Sequence, residues 1–305
     1  MTDMKEKIRS MKQKKDAIIL AHYYQRAEVQ DVADFVGDSY YLSKMAVQSE
    51  QQTIIFCGVR FMAESAKLLS PQKTVRLPVR DAGCPMAAMA DANKILALKQ
   101  QHPDAVTVCY INSPASVKAL CDVCVTSSNA LEIIKKLPQR KVIFLPDQNL
   151  SAYIAGQCKE KEFIRYPGYC VVHNSVTAED VLVLKEKHPG APVAAHPECR
   201  PEVLAAADFI GSTEAILRFV HTSQAQECII ITEEGIRNAL ENQNSGKQFY
   251  FPEHMLCEDM KKTTLEDILR SFEDESTEIE LDAQTMRAAA ACLRQMHLLS
   301  CTDSN

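Results

Sequence analysis

The sequence has no excess of positive charge: 34 Lys and Arg stand against 40 Asp and Glu, a formal charge of −6. No basic run stands out beyond Lys12, Lys14 and Lys15. This weighs against nucleic-acid and membrane-surface partners, which are bound through clustered cations. There is no long apolar run and no signal peptide, so a soluble, cytoplasmic protein is expected. No low-complexity linker interrupts the chain. Hydrophobic residues are plentiful, at 46% of 305, enough for two or three domains with real cores. Twelve cysteines without a secretory signal read as free thiols or metal ligands rather than disulfides.

Three of those cysteines, Cys84, Cys170 and Cys257, stand 86 and 87 residues apart. One such triple means little, but the interval recurs in unrelated segments. Ala33-Asp34-Phe35-Val36-Gly37 is echoed by Ala207-Asp208-Phe209-Ile210-Gly211, with Asp122-Val123-Cys124-Val125 between them. Apolar runs Ala17 to Ala21, Ala105 to Cys109 and Pro192 to Ala195 end at His22, Tyr110 and His196. Further echoes join Thr53 to Phe56, Lys141 to Leu145 and Cys228 to Thr232, and then Thr74 to Leu77, Phe163 to Tyr166 and Lys247 to Phe251. Each run predicts a short buried strand. Helical patterns lie between them at Phe61 to Leu69, Asn129 to Leu137 and Glu214 to His221. Strands alternating with helices imply parallel sheets covered on both faces. The expected fold is α/β: three repeated α/β/α units with short parallel sheets around a pseudo-threefold axis. The units span 1–83, 84–170 and 171–257, and a helical tail over 258–305 packs on them. In the tail, Thr263 with Glu266 reads as a capping box. Glu273 to Glu280 reads as an acidic loop, and Asp282 as the cap of a helix running to about Leu299.

Ligands of open parallel sheets bind beyond the carboxyl ends of the strands. His22, Tyr24, Tyr110, Asn112, His196 and Glu198 all follow such ends. Ser39, Ser127 and Thr213 read as helix N-caps, where free amides favour anions. Units around a threefold axis turn all these groups, and the three cysteine loops, toward one cavity. Cys57, Cys109, Cys121, Cys124 and Cys228 lie in or beside apolar stretches and read as core. Cys121 and Cys124 form a CxxC without a second pair, and Cys292 and Cys301 on the tail are equally unsupported. For the three spaced thiols, two occupants fit: a catalytic zinc with one open position, or a [4Fe–4S] cluster with one iron lacking a cysteine.

The residues further resemble the quinolinate synthase family over essentially the whole chain. The matching stretches are Ala21-His22-Tyr23-Tyr24-Gln25, Gly37-Asp38-Ser39, Tyr110-Ile111-Asn112-Ser113, Thr126-Ser127-Ser128-Asn129-Ala130, Asp147-Gln148-Asn149-Leu150, His196-Pro197-Glu198-Cys199, Gly211-Ser212-Thr213-Glu214 and Met260-Lys261-Lys262. One departure is Glu258-Asp259 after Cys257, where the family pattern has Pro-Asn. The resemblance implies one [4Fe–4S] cluster per chain, held by Cys84, Cys170 and Cys257. It implies condensation of iminoaspartate with dihydroxyacetone phosphate to quinolinate, on the way to NAD, with an aspartate-oxidising enzyme supplying the iminoaspartate. His22, Ser39, Tyr110, Asn112, Ser127, His196 and Thr213 become substrate contacts, with His173 facing the same cavity. Glu198 becomes the base and Tyr24 a proton donor, with His22 and His196 as further acid–base groups. Competing expectations are a zinc-dependent lyase or aldolase on the same thiols, and a non-catalytic anion sensor.

Overall fold

Unbroken apolar strands need cover on both faces, and here they have it. A computed structural model describes residues 2–300. The first sheet holds β1 (Ala17–His22), β2 (Phe35–Gly37), β3 (Thr53–Cys57) and β4 (Thr74–Arg76). The second holds β5 (Val106–Tyr110), β6 (Val123–Val125), β7 (Lys141–Leu145) and β8 (Glu162–Arg165), and the third β9 (Val193–Ala195), β10 (Phe209–Ile210), β11 (Glu227–Ile231) and β12 (Gln248–Tyr250). The orders are β2-β1-β3-β4, β6-β5-β7-β8 and β10-β9-β11-β12, the same in each repeat. Every strand pairing within the sheets is parallel. In the first sheet Ile18, Leu20, Ile54 and Phe56 enter one apolar cluster, while Ile19, Ala21, Ile55 and Cys57 enter another. The third sheet divides likewise, with Ile229 and Ile231 on one side and Cys228 and Ile230 on the other. Each repeat is thus a three-layer α/β/α unit.

The echoed aspartate has a physical reason. Asp34, Asp122 and Asp208 each donate a backbone N–H to the neighbouring central strand, at Ile19, Thr107 and Val193. The carboxylate of each then accepts the N–H of that same residue, at 2.8, 2.7 and 2.8 Å. One side chain therefore fixes the register of the edge strand in all three sheets. A lysine repeats too. Lys73, Lys161 and Lys247 each donate to carbonyls at the end of the helix after the edge strand: Ala46 and Ser49, Leu137 and Gln139, Val220 and Ser223. A cation there satisfies carbonyls that the helix leaves open.

The chain's two ends close over the repeats. Helix Thr2–Lys14 and helix Leu265–Ser271 cover one face of the first sheet through Ile8, Leu265, Ile268 and Phe272. Helix Ala283–Ser300 packs Ala289, Cys292, Leu293 and Met296 into the cluster shared by the first two sheets. Asp282 accepts from the N–H groups of Gln284 and Thr285 at its start. The capping box lies one residue later than expected: Thr264 and Asp267 exchange the reciprocal bonds, while the buried hydroxyl of Thr263 has no partner among the described residues. The acidic stretch is more than a loop. Leu77 donates to Thr277 and Ile279 to Val75, so it runs along β4 and covers that edge. No helix among the described residues is long and apolar enough to cross a membrane.

Candidate active site

The central strands of the three sheets deliver His22, Tyr110 and His196 to one cavity of about 70 Å3. Tyr24, Asn112, Glu198, His173, Ser39, Ser127 and Thr213 line it as well, and so do Cys84, Cys170 and Cys257. Every residue singled out from the sequence as a site candidate therefore faces the same space. The capping roles differ from expectation. Asp38 and Ser212 are the N-caps, accepting from Tyr41 N and Ala215 N, so Ser39 and Thr213 occupy the first helical position with their amides free for a ligand. Ser127 lies in a tight turn closed by Asn129, ahead of helix Ala130–Lys136.

A continuous hydrogen-bonded chain crosses the cavity wall. The Tyr110 hydroxyl donates to Glu198 Oε1 at 2.5 Å, and Glu198 Oε2 meets His173 Nδ1 at 3.0 Å. His173 Nε2 reaches the Thr232 hydroxyl at 2.9 Å; Thr232 meets the Tyr24 hydroxyl at 2.7 Å, and Tyr24 meets Thr213 at 2.8 Å. His173 and His196 stack with centroids 4.6 Å apart, and His22 meets the edge of Tyr24 at 4.5 Å. Burial pushes the His22 and His196 rings down to about 3, so both are neutral imidazoles. Burial raises Tyr24 and Tyr110 well above the phenol range. For Glu198, burial acts upward, while the His196 and His173 rings and the bonds from His173 and Tyr110 act downward. Both its oxygens are occupied by donors, so the carboxylate form prevails.

Hydrogen bonds between repeats shut the other end. Tyr23 donates to Glu214 at 2.8 Å, Ser128 donates to Asp38 at 2.7 Å, and His196 meets Ser127 at 3.3 Å. Asn149 donates to the carbonyl of Glu198 and to Asn174. The backbone is tightly seated near Cys170. Gln148 N donates to Gly168 O, and a Cβ at Gly168 would lie 2.6 Å from the Pro146 carbonyl oxygen, so only glycine fits.

The three cysteine loops share one arrangement. Backbone amides of Ala87 and Met86 point at Cys84, that of His173 at Cys170, and those of Met260 and Asp259 at Cys257. Burial nonetheless pushes Cys84 up to about 12 and raises Cys170 and Cys257, so a bound cation is needed to hold them ionised. Three thiols with amides aimed at sulfur suit an iron–sulfur cluster, whose sulfurs accept such bonds. The departure after Cys257 has a structural role here: Asp259 accepts from Gly83 N at 3.1 Å and so pins the Cys84 loop. A smaller grouping also exists, with Cys170 Sγ, a His173 ring nitrogen and a Glu198 oxygen all within 4.8 Å of one another.

The sequence reading missed Thr232, Glu233 and Asp147. All are buried: Thr232 bridges Tyr24 to His173, Glu233 lines the cavity, and Asp147 lies against the Cys170 backbone. The signal was available, since Asp147 and Glu233 stand one repeat interval apart, just past β7 and β11.

Residues 6–298 match the family model described as quinolinate synthetase A protein. The quinolinate synthase of Clostridium perfringens (strain SM101) is 50% identical over 298 residues, covering 97% of this chain and 99% of that protein. The quinolinate synthase of Clostridioides difficile is 48% identical over 299 residues, 98% of each. That of Caldicellulosiruptor saccharolyticus is 48% identical over 298 residues, 97% of this chain and 98% of that protein. With a cavity built from all three repeats and similarity running nearly end to end, the chain belongs to the quinolinate synthetase A family.

Proposed function

We propose that this enzyme condenses iminoaspartate with dihydroxyacetone phosphate to give quinolinate, phosphate and two waters in de novo NAD biosynthesis. The observation that carries this reading is the convergence of a Tyr110–Glu198–His173 hydrogen-bonded chain and three amide-facing thiols on one cavity. Cys84, Cys170 and Cys257 are the residues that hold a [4Fe–4S] cluster, one per chain. Bound there, it supplies an iron with an open position as the Lewis acid for loss of hydroxide.

Both substrates are anionic. Ser39 and Thr213 at helix starts, with Ser127, Asn112 and the neutral imidazoles of His22 and His196, take their carboxylate and phosphate groups. Glu198, ionised and already accepting two hydrogen bonds, is the base that removes protons from carbon. Tyr24, a phenol kept protonated by burial, is the proton donor, joined to His173 through Thr232. Tyr110 and His173 orient the Glu198 carboxylate. The Tyr23–Glu214 and Ser128–Asp38 bonds join repeats beside the cavity, and parting of the repeats there would admit the substrates. In the cytoplasm an aspartate-oxidising enzyme supplies the unstable iminoaspartate.

Turnover without oxygen, with iminoaspartate generated in place, tests the proposal. Quinolinate and phosphate should appear in equal amounts, and failure to form quinolinate with iron-loaded protein would refute it. The Cys170–His173–Glu198 grouping favours a second reading, a zinc lyase. That reading requires a colourless zinc protein and leaves Cys84 and Cys257 without a role.

A further inference from the structure

The residue pair just past the second central strand differs among the repeats. It is Gly58-Val59 in the first, Pro146-Asp147 in the second and Thr232-Glu233 in the third. Only the third carries both a hydroxyl and a carboxylate, and both are buried, at 0% and 1% exposure. The Thr232 hydroxyl touches two proton-transfer candidates at once, Tyr24 at 2.7 Å and His173 at 2.9 Å. The Glu233 carboxylate accepts the backbone N–H of Cys257 at 3.1 Å and that of Gly235 at 2.7 Å, and pairs with Lys261 Nζ at 2.8 Å. Lys261 Nζ in turn donates to the carbonyl of Tyr24 at 2.6 Å. Tyr24 is therefore held at both ends, its hydroxyl by Thr232 directly and its carbonyl by Lys261, which Glu233 pairs. Space enforces the arrangement: a Cβ at Gly235 would stand 2.7 Å from Lys261 Nζ and from Tyr24 Cα, and 2.8 Å from Glu233 Oε2. Asp147, at the same place in the second repeat, has an oxygen without a hydrogen-bond partner among the described residues and no such lysine contact.

We infer that Thr232-Glu233 is the positioning element that couples the third cysteine loop to the proton-transfer groups. Glu233 sets where Cys257 stands relative to Tyr24, and Thr232 joins Tyr24 to His173 and hence to Glu198. Neither residue is a metal ligand or reacts with substrate. The inference rests on the quinolinate synthase reading above.

The test uses iron-loaded, oxygen-free full-length protein and two variants. Thr232→Val keeps the side chain's shape and removes the hydroxyl. It should retain iron at the wild-type level, lower kcat about tenfold or more with KM little changed, and shift one limb of the kcat–pH profile. Thr232→Ser should restore most of kcat. Glu233→Gln should release iron to a ferrous chelator about tenfold faster than wild type. If it fails to fold, Glu233→Asp serves, with an intermediate release rate expected. A wild-type kcat and pH profile in Thr232→Val, or wild-type iron release in the folded Glu233 variant, overturns the inference. A kcat lowered equally at all pH values, not restored by serine, also counts against it, since that marks a structural role. If wild type itself forms no quinolinate, the functional reading has failed; if only the variants behave like wild type, this inference alone has failed.

Discussion

Two groups of cysteines lie in this molecule, and their surroundings differ more than their numbers. Cys109, Cys121, Cys124 and Cys292 gather in the core, where Cys109 and Cys124 stand at paired positions of β5 and β6 and Cys292 comes from the last helix. There Cys121 Sγ donates to the Val117 carbonyl at 3.2 Å; the bond to Cys109 and then burial raise Cys121 well above the thiol range, and burial and then the bond to Cys109 raise Cys124. Cys109 is the exception: burial acts upward on it, but Cys121, Cys124 and the buried Lys118 hold it low. The ammonium of Lys118 is already bonded to the Ile111 and Ser113 carbonyls. At the cavity, by contrast, backbone amides point at Cys84, Cys170 and Cys257. A sulfur that receives amides is prepared to be a ligand only where it also lines the cavity, because the core thiol Cys199 receives the His196 amide while donating to the Ile231 carbonyl. Counting cysteines, or finding CxxC, does not separate the two groups, but amides at the sulfur together with a place on the cavity wall do.

The contrast can be broken by substitution. Cys170→Ala should abolish quinolinate formation, while Cys124→Ala should leave it near wild type in an oxygen-free assay; equal losses would erase the distinction. Next in size, Glu198→Gln should lower kcat by about 10²–10⁴ with iron content unchanged, as expected for loss of a general base. Acid sharpens the contrast further, because it acts on the cavity side through His22 and His196. Both are neutral when folded, held down at about 3, against 6.5 when unfolded. Between those values the unfolded chain binds more protons. Stability should therefore fall as pH drops below about 6.5, by up to about 1.4 kcal/mol per pH unit per ring. Thermal unfolding across pH 7 to 5 checks this, and His196→Gln should flatten the slope. The smallest effect belongs to the core: Cys124→Ala should cost about 1 kcal/mol, seen as a lower unfolding midpoint with iron retained.

Much of this was legible in the sequence. The repeat interval carried the strands of all three sheets, and Asp34, Asp122 and Asp208 do the same register-setting work in each; the order of the strands came from the structure. It also carried the site, since residues at the same place in each repeat must meet at a shared centre. Cap positions were less legible. Asp38, Ser39, Ser212 and Thr213 are all acceptable caps, and only backbone direction decides between neighbours. The helix Thr2–Lys14 went unread, although it recurs as Ala92–Gln101 and Ala178–Lys187, each ahead of the first strand of its repeat; mostly polar and charged, these helices bury single apolar residues such as Ile8, Ile95 and Val181 and show little apolar periodicity. Thr232 was missed because it breaks the repeat, standing where the other copies have Gly58 and Pro146, and a pattern shared by three copies hides what one copy does alone; Glu233 shares its place with Asp147, a signal that was there to read. Lys73, Lys161 and Lys247 were present at the interval, but a lysine closing a helix end looks on paper like any surface charge. Cys301 lies outside the described residues.

Iron and acid-labile sulfide content of oxygen-free protein tests the central claim most directly. Wild type and Cys124→Ala should each carry about four irons and four sulfides per chain, with Cys170→Ala retaining little of either. Stoichiometric zinc in place of iron, or iron lost equally from the core and cavity variants, would contradict it.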